Sequence, residues 1–294
     1  MNSVLGDRKA ILILLGPALL VYTLVKLAPV LWSLALTFFD GNPLRGFEFT
    51  GWSNFSRFAQ DPQALDALGF TLKYAVVVTV GQIALGYGLA LLYVFVLRRA
   101  STFVRTVVFF PTVLPTVAVA LLFRSLFAVG QQDGPVNAGL QAAGIGAVDW
   151  FSTGTGTFAV VVLMELWRSM GFFAVLLYAG LLDIPEETLE SARLEGATGL
   201  SLVRHIVLPL SLPVLLSSVI FSINNTFKAF DTVLALNGGG PGSDTTPLTL
   251  YMYRTAFQFS DYGYGSTIAL ALTIMCFLVT LAIFRSARRD NTRS

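Results

Sequence analysis

The feature that most limits how this chain can fold is a series of apolar blocks, each long enough to cross a lipid bilayer. A membrane-spanning helix needs about 20 mainly apolar residues, and six windows qualify. They are roughly Ala10–Leu36, Thr71–Leu97, Arg105–Phe127, Phe158–Leu182, Leu210–Phe230 and Tyr264–Phe284. Only 12% of the 294 residues are charged, about half the share of a soluble domain. The pattern predicts an all-α membrane protein with six transmembrane helices.

Basic residues predict the orientation of these helices, because Lys and Arg near span ends collect on the cytoplasmic side. They stand before the first span, between the second and third, and after the sixth: Arg8, Lys9, Arg98, Arg99, Arg105, Arg285, Arg288, Arg289 and Arg293. No Lys or Arg occurs from Gly130 to Thr157, so we expect that loop outside. Both termini and residues 183–209 are then expected in the cytoplasm.

Three parts are predicted along the chain. Residues 1–70 form a retained first span and an outside loop, residues 71–285 form a core of five spans, and residues 286–294 form a cytoplasmic tail. Pro111 and Pro115 predict a kink or break early in the third span, because proline cannot donate a helical hydrogen bond. Cys276 is the single cysteine, so no intrachain disulfide can form.

Residues 183–209 form a polar insert between the fourth and fifth spans, which we call the elbow. Pro185, Glu186 and Glu187 fit the first turn of a helix, where the helix dipole favours anions. Gly196 allows the left-handed backbone that ends a helix. A second short helix, about Leu200 to Ile206, is expected to end before Pro209, because the residue before proline disfavours the α region. The elbow holds more acid than base, which predicts a basic partner rather than a mere connection.

Two spans carry polar residues on one helical face. Glu165, Arg168, Ser169 and Phe172 share a face of the fourth span. Ser222, Asn225 and Thr226 share a face of the fifth span, bordered by Phe221. Polar residues inside spans usually face the bundle interior. Two interpretations stay open: these groups line a solute path, or they hold helices together through a Glu165–Arg168 pair and interhelical hydrogen bonds. Lys228 and Asp231 are expected to form an ion pair.

No catalytic machinery is predicted for this chain. A nucleotide-binding GxxxxGK[ST] motif is absent. His205 is the only histidine and stands in no cluster suited to a metal or a triad. We therefore expect no catalytic residue, no metal site, no cofactor in this chain and no nucleic-acid partner.

The elbow resembles a segment of a known family. The pattern Glu190-Ser191-Ala192, Gly196, Ile206, Leu208, Pro209 is similar to the EAA loop of binding-protein-dependent ABC importer permeases. FFPTVLPTVAVALLFRSLF at 109–127 and FKAFDTVLALNGGGPGSDTTPL at 227–248 resemble the sugar-type branch. Two positions depart from the pattern: Ser191 replaces an alanine, and Glu195 stands where Asp usually precedes the glycine.

The resemblance implies the type I ABC importer permease architecture, in the inner membrane of a prokaryote. Its expected partners are a second homologous permease, two ATPase subunits or domains, an extracytoplasmic solute-binding protein and membrane lipid. ATP and Mg would be bound by the ATPase. The elbow would be a coupling helix seated on that ATPase, with Glu190 paired to a basic residue. The implied coupling residues are Glu187, Glu190, Ser191, Ala192, Glu195, Gly196 and Pro209.

The resemblance also implies a cargo: a sugar, of di- or oligosaccharide size, moved into the cytoplasm by alternating access. The residues expected along its path are Glu165, Ser169, Phe172, Phe221, Ser222, Asn225 and Thr226. One alternative keeps the machine and imports glycerol-phosphate esters, for which Arg168 could bind the phosphate. A more distant alternative is an ATP-independent channel or a membrane enzyme.

Overall fold

The computed structural model describes residues 8–97, 100–130 and 133–291. Its α-helices, in chain order, are α1 Arg8–Tyr22, α2 Ala28–Leu36, α3 Ser53–Gln60, α4 Pro62–Phe95, α5 Ser101–Val113, α6 Thr116–Leu126, α7 Pro135–Ala142, α8 Gly154–Leu182, α9 Glu186–Leu194, α10 Gly199–Leu202, α11 Leu208–Thr226, α12 Asp231–Asn237, α13 Leu248–Tyr253 and α14 Tyr262–Asn291. Two π-helical turns, Thr23–Leu27 and Val203–Val207, join neighbouring helices, and a third, Arg254–Gln258, extends α13. The predictions made for residues 1–7, for Arg98 and Arg99, and for residues 292–294 lie outside the described residues.

Five helical segments among the described residues are long and apolar enough to span a membrane: Leu12–Leu36, Pro62–Phe95, Gly154–Leu182, Gly199–Thr226 and Tyr262–Arg285. The pair α5 and α6 supplies a sixth if the two helices count as one broken span. The predicted all-α membrane architecture with six spans is therefore confirmed.

The third span is interrupted more strongly than a kink. Its two helices meet at an angle of 96°. Leu114 has an extended backbone, with φ −70° and ψ 141°, because a residue before proline is pushed out of the α region. Pro115 then begins α6 as its N-cap residue. Pro111, by contrast, lies inside α5.

The outside loop predicted after the first span is shorter than expected. Strands β1 Phe39–Asn42 and β2 Gly46–Phe49 pair antiparallel within it, a small exception to the all-helical prediction. Helix α4 begins at Pro62 instead of Thr71, because Asp61 caps it by accepting hydrogen bonds from the N–H groups of Gln63 and Ala64 at 2.9 and 3.4 Å. An Asp–Pro pair is a sequence signal for a helix start, but the apolar-window criterion does not consider it.

The elbow does not end where the sequence predicted. The second helix of the elbow, which begins at Gly199, does not stop before Pro209 but continues to Thr226. The π-turn Val203–Val207 leads directly into α11, and Pro209 lies in the first turn of that helix. Because proline has no N–H to donate, the turn before it departs from the regular α-helical bonding pattern, and the π-turn lies at that point of the continuous run Gly199–Thr226. The fifth span also ends at Thr226 rather than at Phe230.

The described residues form two compact units. One contains the chain up to Leu65 together with Met252–Ala271, and the other contains Asp66–Tyr251 and the chain from Leu272 onwards. In the second unit, small residues let helices approach closely. A Cβ on Gly86 of α4 would lie 2.7 Å from the Cβ of Phe173 on α8, and a Cβ on Gly171 would collide with the carbonyl of Val108 on α5.

Candidate functional site

Gly196 bends the elbow as the sequence predicts. Its φ is +91°, a conformation that glycine adopts without the penalty that a Cβ imposes. The N–H of Gly196 donates to the carbonyl of Arg193 at 3.0 Å, and the N–H of Ala197 donates to that of Ala192 at 2.9 Å. This is the Schellman arrangement that ends a helix. The predicted first helix of the elbow, α9, ends here.

The outer face of the elbow is polar and forms no ion pair with the described part of the chain. Glu187, Glu190, Ser191 and Glu195 are exposed. The ion pairs among the described residues lie elsewhere, between Arg57 and Asp261 and between Arg168 and Glu165. The elbow acids are therefore available to basic groups on another molecule.

Two leucines make the tip of the elbow apolar as well. Leu194 is 91% exposed and Leu200 is 81% exposed, and they flank the bend at Gly196. Sequence reasoning missed them, although leucines beside a cap in a polar insert are a visible signal. Apolar tips surrounded by acids form a surface suited to a protein partner.

Ala192 and Pro209 hold different positions from the other predicted coupling residues. Ala192 is 6% exposed and packs in a cluster with Leu181, Leu202 and Val207. It therefore anchors the elbow to the bundle instead of facing outward. Pro209 is exposed and stands in the first turn of α11.

A cavity of about 370 Å³ lies within the second unit, between α4, α8, α11 and the break in the third span. Six of the seven residues predicted along a solute path line it: Glu165, Ser169, Phe172, Phe221, Asn225 and Thr226. Ser222 does not, because it is fully buried between helices. The residues that sequence reasoning missed include Tyr74, Gln82, Thr112, Thr116 and Phe173.

Glu165 and Arg168 form a two-pronged ion pair in the cavity wall. Nη2 of Arg168 lies 2.7 Å from Oε1 of Glu165, and its Nε lies 3.3 Å from Oε2. Thr112, on the other side of the break from α6, donates to the carbonyl of Arg168 at 2.9 Å. The structure therefore contains the Glu165–Arg168 pair that one interpretation expected, and both charged side chains still line the cavity.

Gln82 of α4 connects the two polar faces. Its Nε2 donates to the hydroxyl of Ser169 on α8 at 2.8 Å. The hydroxyl of Ser222 on α11 donates to its Oε1 at 2.5 Å and lies 2.8 Å from the hydroxyl of Thr79. These side chains are all buried. They join three helices, which favours the interhelical interpretation for Ser169 and Ser222. A lone glutamine in an apolar span was the signal for this role.

Adjacent asparagines near the end of α11 have opposite roles. Asn224 donates to the hydroxyl of Thr280 on α14 at 3.1 Å and to the carbonyl of Ile220 at 2.8 Å. Asn225 is exposed and lines the cavity. The interhelical bond considered for Asn225 is therefore made by its neighbour, and the amide of Asn225 faces the cavity.

Three phenylalanines form an aromatic wall. The rings of Phe172 and Phe221 are stacked with centroids 5.2 Å apart, and Phe173 meets Phe172 edge-on at 5.4 Å. Phe221 remains 46% exposed. The wall offers a flat apolar surface beside hydrogen-bonding groups.

Lys228 and Asp231 also line the cavity. The ion pair expected between them is not found, since the ion pairs among the described residues involve other side chains. Lys228 follows the end of α11 and Asp231 begins α12, so they do not share one continuous helix. Spacing alone was therefore a poor guide here.

Comparisons with known proteins place the chain in a family. The model of the family described as "Binding-protein-dependent transport system inner membrane component" matches residues 82–289. The sulfoquinovosyl glycerol transport system permease protein SmoG of Agrobacterium fabrum is 30% identical over 97% of this chain and 92% of its own length. The multiple sugar-binding transport system permease protein MsmF of Streptococcus mutans is 32% identical over 83% of this chain and 82% of its own length.

A solved structure shares the fold. A chain of the crystal structure of a bacterial ABC transporter involved in the import of the acidic polysaccharide alginate superposes with a TM-score of 0.84 at 20% identity, over 98% of this chain and 99% of that chain. The type I ABC importer permease architecture is confirmed by this likeness. Its low identity carries no information about cargo.

Proposed function

The chain belongs to the family of inner membrane components of binding-protein-dependent transport systems, and we propose that it is the permease subunit of an ATP-driven importer of a sugar, of di- or oligosaccharide size. The observation that carries the proposal is the pairing of two surfaces in one chain. One is an exposed acidic elbow with an apolar tip, and the other is a cavity between spans lined by polar and aromatic groups.

The elbow supports coupling to a separate ATPase. In this proposal Glu190 meets a basic residue of the ATPase, and Leu194 and Leu200 enter an apolar cleft beside it. The Schellman cap at Gly196 fixes the bend within the elbow, and the packing of Ala192 in one cluster with Leu181 and Leu215 holds the elbow against α8 and α11. A push at the tip therefore reaches the helices that line the cavity, and the bundle alternates between two states.

The cavity supports a polyhydroxylated cargo. Asn225 and Thr226 carry hydrogen-bonding groups, and the Phe172–Phe221 stack provides a face on which a sugar ring can lie. The volume of about 370 Å³ falls within the range of about 300–1,000 Å³ usual for ligand pockets. The relative SmoG belongs to a sulfoquinovosyl glycerol transport system and the relative MsmF to a multiple sugar-binding transport system, which favours the same class of cargo.

The complete importer in this proposal contains four kinds of component. The chain pairs with a second, homologous permease, two ATPase subunits bind ATP and Mg, and a solute-binding protein delivers the sugar. The solved alginate transporter has a periplasmic protein bound in one of its crystal structures, which supports the last partner. The elbow and both termini then face the cytoplasm.

A phosphate ester is the alternative cargo. A phosphate needs a basic group with free donors. The guanidinium of Arg168 already engages both oxygens of Glu165, so Lys228, which lines the same cavity, is the basic group that would bind it. Competition by glycerol phosphate against sugar uptake tests this alternative directly.

The test is uptake by the reconstituted transporter. Both permeases and the ATPase are placed in liposomes containing ATP and Mg, and radiolabelled oligosaccharides are added with the binding protein. We expect sugar accumulation that requires ATP and the binding protein. Solute movement of equal rate without ATP would contradict the proposal and favour a channel.

A further inference from the structure

A second cavity, of about 480 Å³, lies between the elbow and the ends of three helices. These are the last turns of α4 and α8 and the first turn of α5. The cavity shares no lining residue with the one proposed for sugar. The polar side chains that line it are those of Tyr93, Ser101, Tyr178, Asp183, Glu186 and Arg193.

The hydroxyl of Tyr93 is a polar group in this cavity that the chain leaves unused. Tyr93 is 2% exposed, and its Oη is the one buried side-chain polar atom of the described residues that has no hydrogen-bond partner. Its ring meets that of Tyr178 edge-on, with centroids 6.1 Å apart. Burying a hydroxyl without a partner costs free energy, and a molecule bound in the cavity can remove that cost.

Charges of both signs line the cavity. Asp183 follows the end of α8, and Glu186 and Arg193 lie seven positions apart on one face of α9. The ion pairs among the described residues lie elsewhere, so these three groups do not neutralise one another. A guanidinium binds a phosphate well, and carboxylates accept hydrogen bonds from an ammonium group. The cavity therefore matches a ligand that carries both a phosphate and an ammonium.

An apolar groove of about 400 Å³ adjoins the cavity. Phe95 and Arg193 line both, so the polar and the apolar site meet at these two residues. Leu92 and Val96 of the groove are exposed on a membrane-spanning helix. The groove can therefore hold a hydrocarbon chain beside the polar cavity. Its apolar side chains are those of Leu91, Leu92, Phe95, Val96, Leu202 and Val203.

Both sites lie at the level of lipid headgroups. Helix α8 contains 29 residues, so it is about 43 Å long at a rise of about 1.5 Å per residue. A bilayer with its headgroups is about 40–45 Å thick. The end of α8 and Asp183 therefore lie among the headgroups of the leaflet on the elbow side.

We propose that the cavity and the groove together bind one phospholipid of that leaflet, a zwitterionic lipid with a primary ammonium group, the chemistry of phosphatidylethanolamine. Its phosphate contacts Arg193, its ammonium donates to Asp183 and Glu186, and one acyl chain fills the groove. The hydroxyl of Tyr93 donates to an oxygen of the lipid. The bound lipid then joins α9 to α4 and steadies the elbow against the bundle, whichever solute the chain transports.

Other common headgroups match these groups less well. The quaternary ammonium of phosphatidylcholine has no N–H to donate to the carboxylates. Phosphatidylglycerol carries no cation, so its anionic headgroup would be repelled by Asp183 and Glu186. The pairing of two acids with one arginine therefore favours the primary ammonium.

The test is a lipid titration of the purified, complete transporter in detergent. Phosphatidylethanolamine, phosphatidylcholine or phosphatidylglycerol is added, and native mass spectrometry counts the lipids bound. We expect the first to bind most tightly. Arg193→Gln should weaken its binding about tenfold, as expected for the loss of one charge-assisted hydrogen bond. Arg204→Gln, an exposed arginine of the elbow that lines neither site, should leave it unchanged.

Two further variants separate lipid recognition from a structural role. The double variant Asp183→Asn, Glu186→Gln should bind phosphatidylethanolamine and phosphatidylcholine equally, because it removes the acceptors that distinguish the two headgroups. Tyr93→Phe removes only a hydroxyl. Without added lipid it should be at least as thermally stable as the wild type, because an unpartnered buried group is lost, yet it should bind phosphatidylethanolamine about threefold more weakly.

Three results would overturn the proposal. The first is equal binding of the three lipids by the wild type, and the second is undiminished binding of phosphatidylethanolamine by Arg193→Gln. The third is tighter binding of phosphatidylglycerol than of phosphatidylethanolamine, because Asp183 and Glu186 would then recognise no cation. All three leave the proposed function intact, since sugar uptake is measured separately. Failure of uptake with specific lipid binding still present would refute the cargo and not the lipid site.

Discussion

The elbow and the polar cluster around Gln82 differ in whether their polar side chains are exposed or buried and hydrogen-bonded. Glu187, Glu190 and Glu195 are exposed and form no ion pair among the described residues. The side chains of Gln82 and Ser222, by contrast, are buried and hydrogen-bonded to one another across helices. This contrast separates the polar residues that serve the fold from those available to partners. Exposed acids that form no ion pair within the chain are free to contact another molecule, whereas buried groups that are hydrogen-bonded across helices hold the helices together.

Glu190→Lys tests the role of the exposed elbow acids and should have the largest effect. We expect uptake to be abolished, because reversing one charge of a desolvated interfacial pair costs about 2–5 kcal/mol or more. Membrane insertion and thermal stability should not change, since an exposed substitution usually shifts stability by no more than about 0.5 kcal/mol. Uptake and the melting temperature are measured on the same preparation. Glu190→Gln, which removes the charge without reversing it, should fall in between; normal uptake by Glu190→Lys would remove the coupling role.

Gln82→Leu tests whether the buried, hydrogen-bonded polar side chains hold the helices together. The substitution removes the two interhelical hydrogen bonds of Gln82, while Ser169 keeps its bond to the carbonyl of Glu165 and Ser222 keeps its bond to Thr79. At about 0.6 kcal/mol for each interhelical bond, we expect a cost of about 1 kcal/mol in unfolding free energy. Ser222→Ala should cost less, about 0.6 kcal/mol, the average for interhelical hydrogen bonds in membranes. Unfolding in a denaturing detergent measures both. Equal stability of the Gln82→Leu variant and the wild type would show that the cluster does not hold the helices together.

Gly196→Ala probes the elbow at the bend itself. A Cβ placed on Gly196 would meet no atom within 4 Å, so the whole penalty comes from the backbone at φ +91°. Strain of this kind costs about 1–3 kcal/mol. We expect lower uptake with normal insertion, and faster proteolysis of the elbow. Gly199→Ala is a useful companion because its φ of +53° is closer to values that other residues tolerate. A milder loss is expected there.

Asn225 and Asn224 provide the smallest and most selective test. Asn225→Ala should raise the KM for sugar about three- to tenfold, the equivalent of one lost hydrogen bond of about 0.5–1.5 kcal/mol. Asn224→Ala removes the contact to Thr280 and should lower thermal stability without changing KM. If Asn225→Ala lowers thermal stability and Asn224→Ala raises the KM instead, Asn225 serves helix packing and not solute binding.

Local features of this fold could be predicted from the sequence, and long-range ones could not. Gly196 indicated its bend because one residue type suits a positive φ, and Glu165 and Arg168 indicated their pair through a spacing of three on one helix. Gln82 could not indicate its contacts with Ser169 and Ser222, since those lie 87 and 140 residues away. The prediction that a helix ends before Pro209 was wrong for a related reason. Whether the chain stays helical at a proline depends on the turn before it.

Asn224 and Asn225 show the same limit within the candidate site. Helical periodicity placed Asn225 on the polar face with Ser222, but it could not say which asparagine would meet a neighbouring helix. That depends on where α14 packs, which the local pattern does not contain. The 96° break between α5 and α6 is similar, because Pro115 predicts an interruption but not its angle.

The proposed contact between the elbow and the ATPase is tested most directly by photo-cross-linking from the elbow tip. A photoreactive amino acid replaces Leu194, which is 91% exposed, in membranes that contain the complete transporter. We predict a covalent product of this chain with the ATPase after illumination. A product with the solute-binding protein, or with lipid alone, would contradict both the coupling role of the elbow and its cytoplasmic orientation.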